Sequence, residues 1–494
     1  MIKAVKTLII LLPLLSIVGG SQALAQDSLW SVCYGGYYNE SGYASTQTGD
    51  GDFLLVGSTF SYGSGDYDVY LVKTDSTGIE IWSRTFGGTG IEYGYDITAT
   101  ADGGYVLVGS TTSYGNGGRD IYLLKVNDLG EEVWSQTFGG TEDDIGVSVR
   151  LASDSGFILC GSTSSYGEGT DIYVIKTDSN GDSLWTATYG GSAGESGAAV
   201  RTAVDSGYIV IGSTGSYGDG YSSVYLVRIG ELGDTLWTSA YGGSRADFGH
   251  SVETTNDKGF ILAGTTAPDG KNFYDAYLVK VDSLGLLEWE ETYGGEYEDR
   301  AYSVKATADG GYIMAGTYEG SGDRKLDVFM VKTDPIGGVE WSDSYGGAES
   351  DYGRMVLLDD NQDYIVAGYT FSESSGGSDV YLLKVQGPLQ MGVGDDDWQL
   401  PSEIAVLSQN FPNPFNLSTR IDFHLPRRAS YNLVIYNVLG QVVRKWEDCG
   451  AYAGRYTIIW DGRNESGNEV ASGIYIYNLR VEDFVQSKKM VLLK

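Results

Sequence analysis

Short apolar runs separated by glycine-rich polar stretches fill the chain from Trp30 to about Lys384. The clearest copy begins at Trp82, with runs at Trp82–Phe86, Tyr95–Thr100, Tyr105–Ser110 and Asp120–Val126 that are rich in Val, Ile, Tyr, Thr and Trp. Each run is bounded by Gly, Asp, Asn or Ser, which is the pattern of strands and turns. None is long enough for a helix, and glycine recurs too often to permit one. Ala101-Asp102-Gly103-Gly104 predicts a tight hairpin, because glycine supplies the positive φ of primed turns. Asn127-Asp128-Leu129-Gly130 predicts a second hairpin that leads into the next tryptophan run.

The pattern starts at Trp30 and restarts at Trp82, Trp134, Trp185, Trp237, Trp289 and Trp341, with spacings of 52, 52, 51, 52, 52 and 52 residues. So regular a period marks a repeat architecture in which each unit needs its neighbours for a core. Four antiparallel strands per unit, seven units and no helix predict an all-β fold, a seven-bladed β-propeller over residues 26–386. The second hairpin makes each tryptophan run the outermost strand of its blade. Trp30–Tyr34 is then left without a preceding partner and Tyr381–Lys384 without a following one. Pairing these two strands closes the ring and removes two open edges.

The remaining segments read differently. Residues 1–25 have the form of a secretory signal, with Lys3 and Lys6, an apolar stretch from Leu8 to Val18, and the small-residue site Ala23-Leu24-Ala25. No other stretch is apolar enough to span a membrane, so no direct membrane insertion is expected once the signal is removed. Residues 387–403 contain glycines, prolines and three consecutive aspartates, and predict a linker. Residues 404–494 carry alternating runs at Arg420–Leu425, Tyr431–Val438, Arg455–Trp460 and Gly473–Val481, which predict a small β-sandwich.

Five motifs lie in order along that last segment. They are Gln409-Asn410-Phe411-Pro412-Asn413-Pro414-Phe415-Asn416, Val434-Ile435-Tyr436-Asn437-Val438-Leu439-Gly440-Gln441, Trp460-Asp461-Gly462, Ala471-Ser472-Gly473-Ile474-Tyr475 and Lys488-Lys489-Met490-Val491-Leu492-Leu493-Lys494. Together they resemble the C-terminal sorting domain of proteins exported by the type IX secretion system, and the related immunoglobulin-like domain of the flagellar hook-capping protein. The resemblance implies an immunoglobulin-like sandwich, a secretion machinery as partner, and release from the cell or attachment to its outer surface. The propeller units are similar to glycine- and aspartate-rich propeller repeats found in such secreted proteins.

Composition narrows the partners. The chain has 32 Lys+Arg against 66 Asp+Glu, and loss of Lys3 and Lys6 with the signal takes the net charge from −34 to −36. Such a chain repels phosphate backbones and anionic lipid, so nucleic acid is not an expected partner. Cys33, Cys160 and Cys449 fall in different blades or a different domain, and read as small core residues rather than a disulfide framework. The two histidines, His250 and His424, also lie in different domains, which disfavours Ser-His-Asp or Cys-His chemistry. No HExxH, phosphate loop or zinc-spaced Cys/His set appears. His250 occupies a variable slot of the innermost strands, where other units carry Tyr43, Tyr95, Val147, Ala198, Tyr302 and Arg354, and it reads as a partly exposed residue without chemistry. The expectation is a non-catalytic protein with no cofactor. The alternative is an extracellular polysaccharide hydrolase or lyase using acids and tyrosines of a loop face, but no unit carries a unique insertion that would build a cleft.

What chemistry remains is carboxylate and tyrosine. Four residues after each YGG or FGG stands an acid: Glu40, Glu92, Asp144, Glu195, Asp247, Asp299 and Asp351. Ringed about the axis, they would hold a cation such as calcium or line a sugar-binding mouth. Alternatively each accepts backbone N–H bonds and fixes its blade to its neighbour. Two carboxylates ~6 Å apart at an effective dielectric of ~20 repel by roughly 3 kcal/mol, so seven pointing inward are costly and the structural reading is favoured. Asp50, Asp102, Asp154, Asp205, Asp257 and Asp309 in the hairpins read as turn chemistry alone, and Asp68, Asp120, Asp171, Asp275, Asp327 and Asp379 at the third strands read likewise. The loop between second and third strands repeats Ser-Tyr-Gly at Tyr62, Tyr114, Tyr166 and Tyr217, and diverges in the last three units. Tyrosines there can stack on a sugar or pack on the adjacent blade, and both readings stay open. The expected ligand is a glycan or a protein, unless the chain is a structural adhesion component.

Overall fold

The computed structural model describes residues 28–387 except 269, 272 and 321–324, together with residues 406–407, 415, 419–425, 429–451, 454–465, 468–481 and 484–493. The expected signal, residues 1–25, and the expected linker beyond residue 387 lie outside the described residues. The chain divides into two compact units, Met1–Gln390 and Met391–Lys494.

Among the described residues the first unit holds seven four-stranded antiparallel sheets. The second of these is built from Glu92–Ala99, Tyr105–Thr111, Asp120–Val126 and Glu132–Phe138, hydrogen-bonded in that order. Each inner strand packs against the inner strand of the next sheet, and Asp351–Leu358 packs in turn against Glu40–Gln47. The sheet that contains Asp351–Leu358 takes its outer strand from the start of the chain. There Ser28–Tyr34 pairs with Asp379–Val385, placing Trp30 opposite Lys384 and Tyr34 opposite Val380. The result is a ring of sheets, a β-propeller, with no helix among the described residues.

Neighbouring sheets share one apolar cluster at each interface. Leu54, Val56 and Leu71 meet Ile97, Leu107 and Leu124, and at the closing interface Ile365, Val380 and Leu382 meet Phe53, Leu55 and Tyr70. Covered on both faces, the second strands are apolar without alternation: Phe53–Thr59 and Tyr105–Thr111 are buried at every residue. The outer strand Glu132–Phe138 is half open to solvent and keeps its polar residues. Burying each such Leu or Val is worth about 1.5–3 kcal/mol, and the clusters are completed only by the neighbouring repeat.

Two devices repeat around the ring. In every sheet the inner strand carries a one-residue bulge: Gly94 faces Gly109, Asp96 faces Val108, and Tyr95 is left over. The equivalent residues are Tyr43, Val147, Ala198, His250, Tyr302 and Arg354. A bulge kinks its strand and re-aims the extra side chain. The hairpin aspartates also do more than turn the chain. Lys176, Arg228, Lys280 and Lys332, each at most 5% exposed along the side chain, reach Asp154, Asp205, Asp257 and Asp309 at 2.7, 2.5, 2.8 and 2.9 Å. Their stems lie in the core while the charge emerges under the turn.

The C-terminal unit packs two sheets. In one, Thr419–Leu425 lies between Val406–Leu407 and Gly454–Trp460; the other runs Val442–Ala451, Ala429–Asn437, Gly473–Val481, Phe484–Leu492. Trp460, Phe423, Leu433, Tyr477, Leu479 and Met490 form their common core. The sequence pattern finds four of these seven strands; besides the two-residue Val406–Leu407 it misses Val442–Ala451 and Phe484–Leu492. Both are edges of the four-stranded sheet, and their charges (Arg444, Lys445 and Glu447 on one, Lys488 and Lys489 on the other) guard an open edge while blurring the alternation.

Candidate functional site

Each of the seven repeated acids opens an inner strand, and each is at most 1% exposed. In Glu92, Oε2 accepts from Gly88 N at 2.8 Å, while Oε1 accepts from Thr111 Oγ1 at 2.8 Å and Ser113 N at 3.1 Å. Glu40 repeats the set with Gly36, Thr59 and Ser61, and Glu195 with Gly191, Thr214 and Ser216. Asp144, Asp247, Asp299 and Asp351, one methylene shorter, keep the glycine bond, from Gly140, Gly243, Gly295 and Gly347. Each carboxylate thereby ties the loop entering its sheet to its own strand. Strand alternation gives the reason: Glu40 and Gly42 are buried whereas Ser41 and Tyr43 are half-buried, so the acid has the wrong parity to face the axis. Among the described residues no three His, Cys, Asp or Glu side chains converge to hold a metal, and the cation ring of Glu40, Glu92, Asp144, Glu195, Asp247, Asp299 and Asp351 does not assemble.

Tyr62, Tyr114, Tyr166 and Tyr217 stand 43–45% exposed. Their hydroxyls donate to the carbonyls of Gly35, Gly87, Gly139 and Gly190 at 2.9–3.0 Å. Their rings lie against Tyr70, Tyr122, Tyr173 and Tyr225, with centroids 5.3–5.9 Å apart. These tyrosines staple loops to the ring, and their hydroxyl protons are already committed to backbone.

A second buried carboxylate backs several junctions. A Cβ on Gly35 would lie 2.1 Å from Asp379 Oδ1 and 2.6 Å from Glu40 Oε2, so two acids flank one glycine. Asp379 Oδ2 accepts from Ser375 N at 3.1 Å, while Oδ1 is buried without a partner. Burial foremost, and then the neighbouring Glu40 against the pull of Ser375, pushes the Asp379 carboxyl up to about 6. The folded state therefore binds the extra proton between its ordinary value of 3.8 and about 6. The stability so gained is complete below pH 4 and is lost as the pH rises through 6. Asp379→Asn, which cannot ionise, is expected to gain roughly 1–2 kcal/mol on wild type between pH 4 and pH 7. Denaturant melts at the two pH values test this; parallel behaviour of the two proteins would count against it.

The feature that the sequence pattern conceals lies on the axis, at the bulged positions. His250 and Tyr302 touch with ring centroids 5.2 Å apart, the Arg354 guanidinium sits 4.4 Å from the Tyr302 ring centre, and Tyr43 meets Tyr95 at 5.1 Å. Two residues earlier on the same strands come Ser41, Tyr93, Ile145, Ser196, Phe248, Arg300 and Tyr352. Five consecutive inner strands thus carry an aromatic and basic arc, while Asp144–Leu151 and Glu195–Thr202 offer only Ile145, Val147, Ser196 and Ala198. From this mouth a track of rings leads outward. Tyr95, Tyr93, Tyr67, Phe60, Tyr38 and Tyr37 follow one another at centroid spacings of 5.9, 5.5, 5.2, 5.4 and 5.2 Å. The track ends in a pocket of about 270 Å³ that includes Asn39. Tyr37 and Tyr38 are 74% and 52% exposed, where other units place Thr89-Gly90 or Ser192-Ala193. A second groove, of about 530 Å³, runs beside Tyr293, Tyr318 and Phe329.

Electrostatics set the mouth apart from the rest of this acidic chain. Burial first, then Arg300 and Arg354, brings the His250 imidazole down to about 4, so it is neutral at pH 7. His250 Nε2 shares a 3.1 Å hydrogen bond with Thr265 Oγ1. Further along the inner strands Arg150 meets Asp96 at 2.6 Å, and Glu253 meets Lys305 at 2.7 Å and Arg201 at 3.4 Å. The slot read from sequence as variable and without chemistry is the one that faces the axis; its variability amid a constant repeat was the available signal.

Regulatory protein FlaEY of Caulobacter vibrioides is 24% identical over 184 residues, 30% of this chain and 19% of that protein, so the chain spans about a fifth of its length. PorZ of Porphyromonas gingivalis, an essential bacterial surface component of the type-IX secretion system, aligns over 90% of this chain and 68% of its own at 12% identity, with a TM-score of 0.35. Sqt1 from Chaetomium thermophilum aligns over 74% of this chain and 99% of its own at 12% identity, with a TM-score of 0.42. Residues 413–483 match the FlgD Ig-like domain family, and the C-terminal unit carries an Ig-like domain of that kind.

Proposed function

We propose that this protein is a secreted or cell-surface, non-catalytic glycan-binding protein, whose Ig-like domain is a type IX sorting domain that engages the secretion machinery. The observation that carries the glycan reading is the aromatic track from Tyr37 and Tyr38 to Tyr95. Sugars present flat C–H faces that stack on such rings, and Asn39 and the glycines of the outer pocket add polar contacts without bulk. The acids and the Ser-Tyr-Gly tyrosines serve the scaffold in this reading, and the binding surface is the asymmetric arc.

Affinity electrophoresis of the full chain through gels containing single polysaccharides tests the proposal. Retardation by at least one glycan is expected, with Tyr37→Ala and Tyr38→Ala weakening it about ten-fold at an unchanged melting temperature. If no polysaccharide retards the protein, the glycan reading falls and a protein ligand takes its place. A polysaccharide lyase is the second reading, favoured by the contact of His250 with Tyr302 beside Arg300 and Arg354. Release of unsaturated sugars from a retarding polysaccharide would establish it.

A further inference from the structure

Arg354 is held in an unusual way for a cation in a chain of net charge −34. Its guanidinium lies 4.4 Å from the ring centre of Tyr302, 5.5 Å from that of Tyr369 and 5.9 Å from that of Tyr352. Tyr43 stands beside it on the next inner strand. One N–H, from Nη2, donates to Tyr369 Oη at 3.1 Å. Nε is buried with no partner, and among the described residues no carboxylate pairs with the side chain.

The other cations on the inner strands are compensated: Arg300 by Glu298, Arg150 by Asp96, and both Arg201 and Lys305 by Glu253. With 66 acids available, the chain leaves the cation at the head of the aromatic arc unpaired. Tyrosine faces position the guanidinium by cation–π attraction without neutralising it, which keeps its planar fork free for an oxyanion. Four tyrosines around one such fork supply stacking surfaces and hydroxyls suited to a sugar ring. A neutral His250 nearby adds a polar group and no charge.

Resting on the glycan reading above, we propose that Arg354 is the anion site of the axial mouth and takes the carboxylate or sulfate ester of an acidic sugar, stacked among Tyr43, Tyr302, Tyr352 and Tyr369. The acidity of the whole chain does not forbid this. At physiological ionic strength charges beyond about 8 Å are largely screened, and the cation that a ligand at the mouth meets without a paired carboxylate is Arg354.

The test is calorimetric titration of the full chain in physiological salt with oligogalacturonate, a sulfated dextran and a neutral dextran of similar length. Acidic chains are expected to bind at least ten-fold more tightly than the neutral one. Arg354→Gln is expected to lose about ten- to a hundred-fold of that affinity, and Arg354→Lys, which keeps charge without the fork, to lose less. Melting temperatures of both variants report whether the fold is intact, and if Arg354→Gln does not fold, Arg354→Lys alone decides. Sodium sulfate, sodium acetate and free galacturonic acid, added as competitors, separate a bare anion site from a sugar site. Competition by the monosaccharide well beyond that by acetate supports the proposal; equal competition by the simple salts overturns its sugar half. Unchanged affinity in a folded Arg354→Gln overturns it outright while glycan binding itself stands. Absence of binding by any glycan defeats the underlying reading instead.

Discussion

Gly109→Ala is expected to cost about 3 kcal/mol or more, enough to unfold the first unit at moderate temperature. A Cβ at this position would lie 1.7 Å from the Tyr93 carbonyl oxygen, 2.8 Å from its carbon and 3.1 Å from Gly94 Cα. These are backbone atoms of the inner strand, so no rotamer change relieves the overlap, and the two strands must separate where the bulge begins. Overpacking against movable side chains already costs about 1–3 kcal/mol, and a rigid backbone places this case at or above that range. The same contact recurs at Gly57, Gly161, Gly212, Gly264, Gly316 and Gly368, with 1.7–2.2 Å to a backbone oxygen, so each sheet depends on one such glycine. Gly194→Ala is the control: nothing lies within 4 Å of its Cβ, and a change within about 0.5 kcal/mol is expected. Urea melts of both variants measure the contrast, and similar midpoints would refute the role given to the glycine pair.

Glu92→Ala is expected to cost about 3 kcal/mol. It strips the acceptor from Gly88 N and Thr111 Oγ1, and leaves Ser113 N with Thr111 Oγ1 alone, beneath a surface that leaves the carboxylate 0% exposed. Each buried donor left without a partner costs about 1–3 kcal/mol, partly recovered where the enlarged space admits water. Glu92→Gln keeps one oxygen acceptor and should lose less than half as much. Chelator should leave the wild-type melt unchanged. A calcium-dependent rise in melting temperature that disappears in Glu92→Ala would instead restore the acids as a cation site.

The period of the tryptophans, the four runs per unit and the outer position of the tryptophan strand were all readable, because apolar burial and turn chemistry act within a few residues. That reasoning also leads from Trp30 to its partner strand at the far end of the unit. It falls short where neighbouring units must be known. The aspartates of the hairpins look sufficient as turn residues until Lys176 and Lys332 are seen beneath Asp154 and Asp309. For Tyr62 and its equivalents, stacking on a sugar and packing on the scaffold stay equally open until the carbonyl of Gly35 is found at the Tyr62 hydroxyl.

The axial mouth shows the same division most clearly. Local pattern places an acid and a variable residue three positions apart at the head of every inner strand, but not which of them the ring presents to its axis. Pleat alternation and the bulge settle that, turning Glu40 into the sheet and Tyr43 toward the axis. Residues near 43, 95, 250, 302 and 354 are far apart along the chain, and only closure of the ring brings their side chains into one arc. Repeat and strand order are short-range properties carried by the amino acids themselves; the arc and the unpaired Arg354 arise from packing between units, which no single unit encodes.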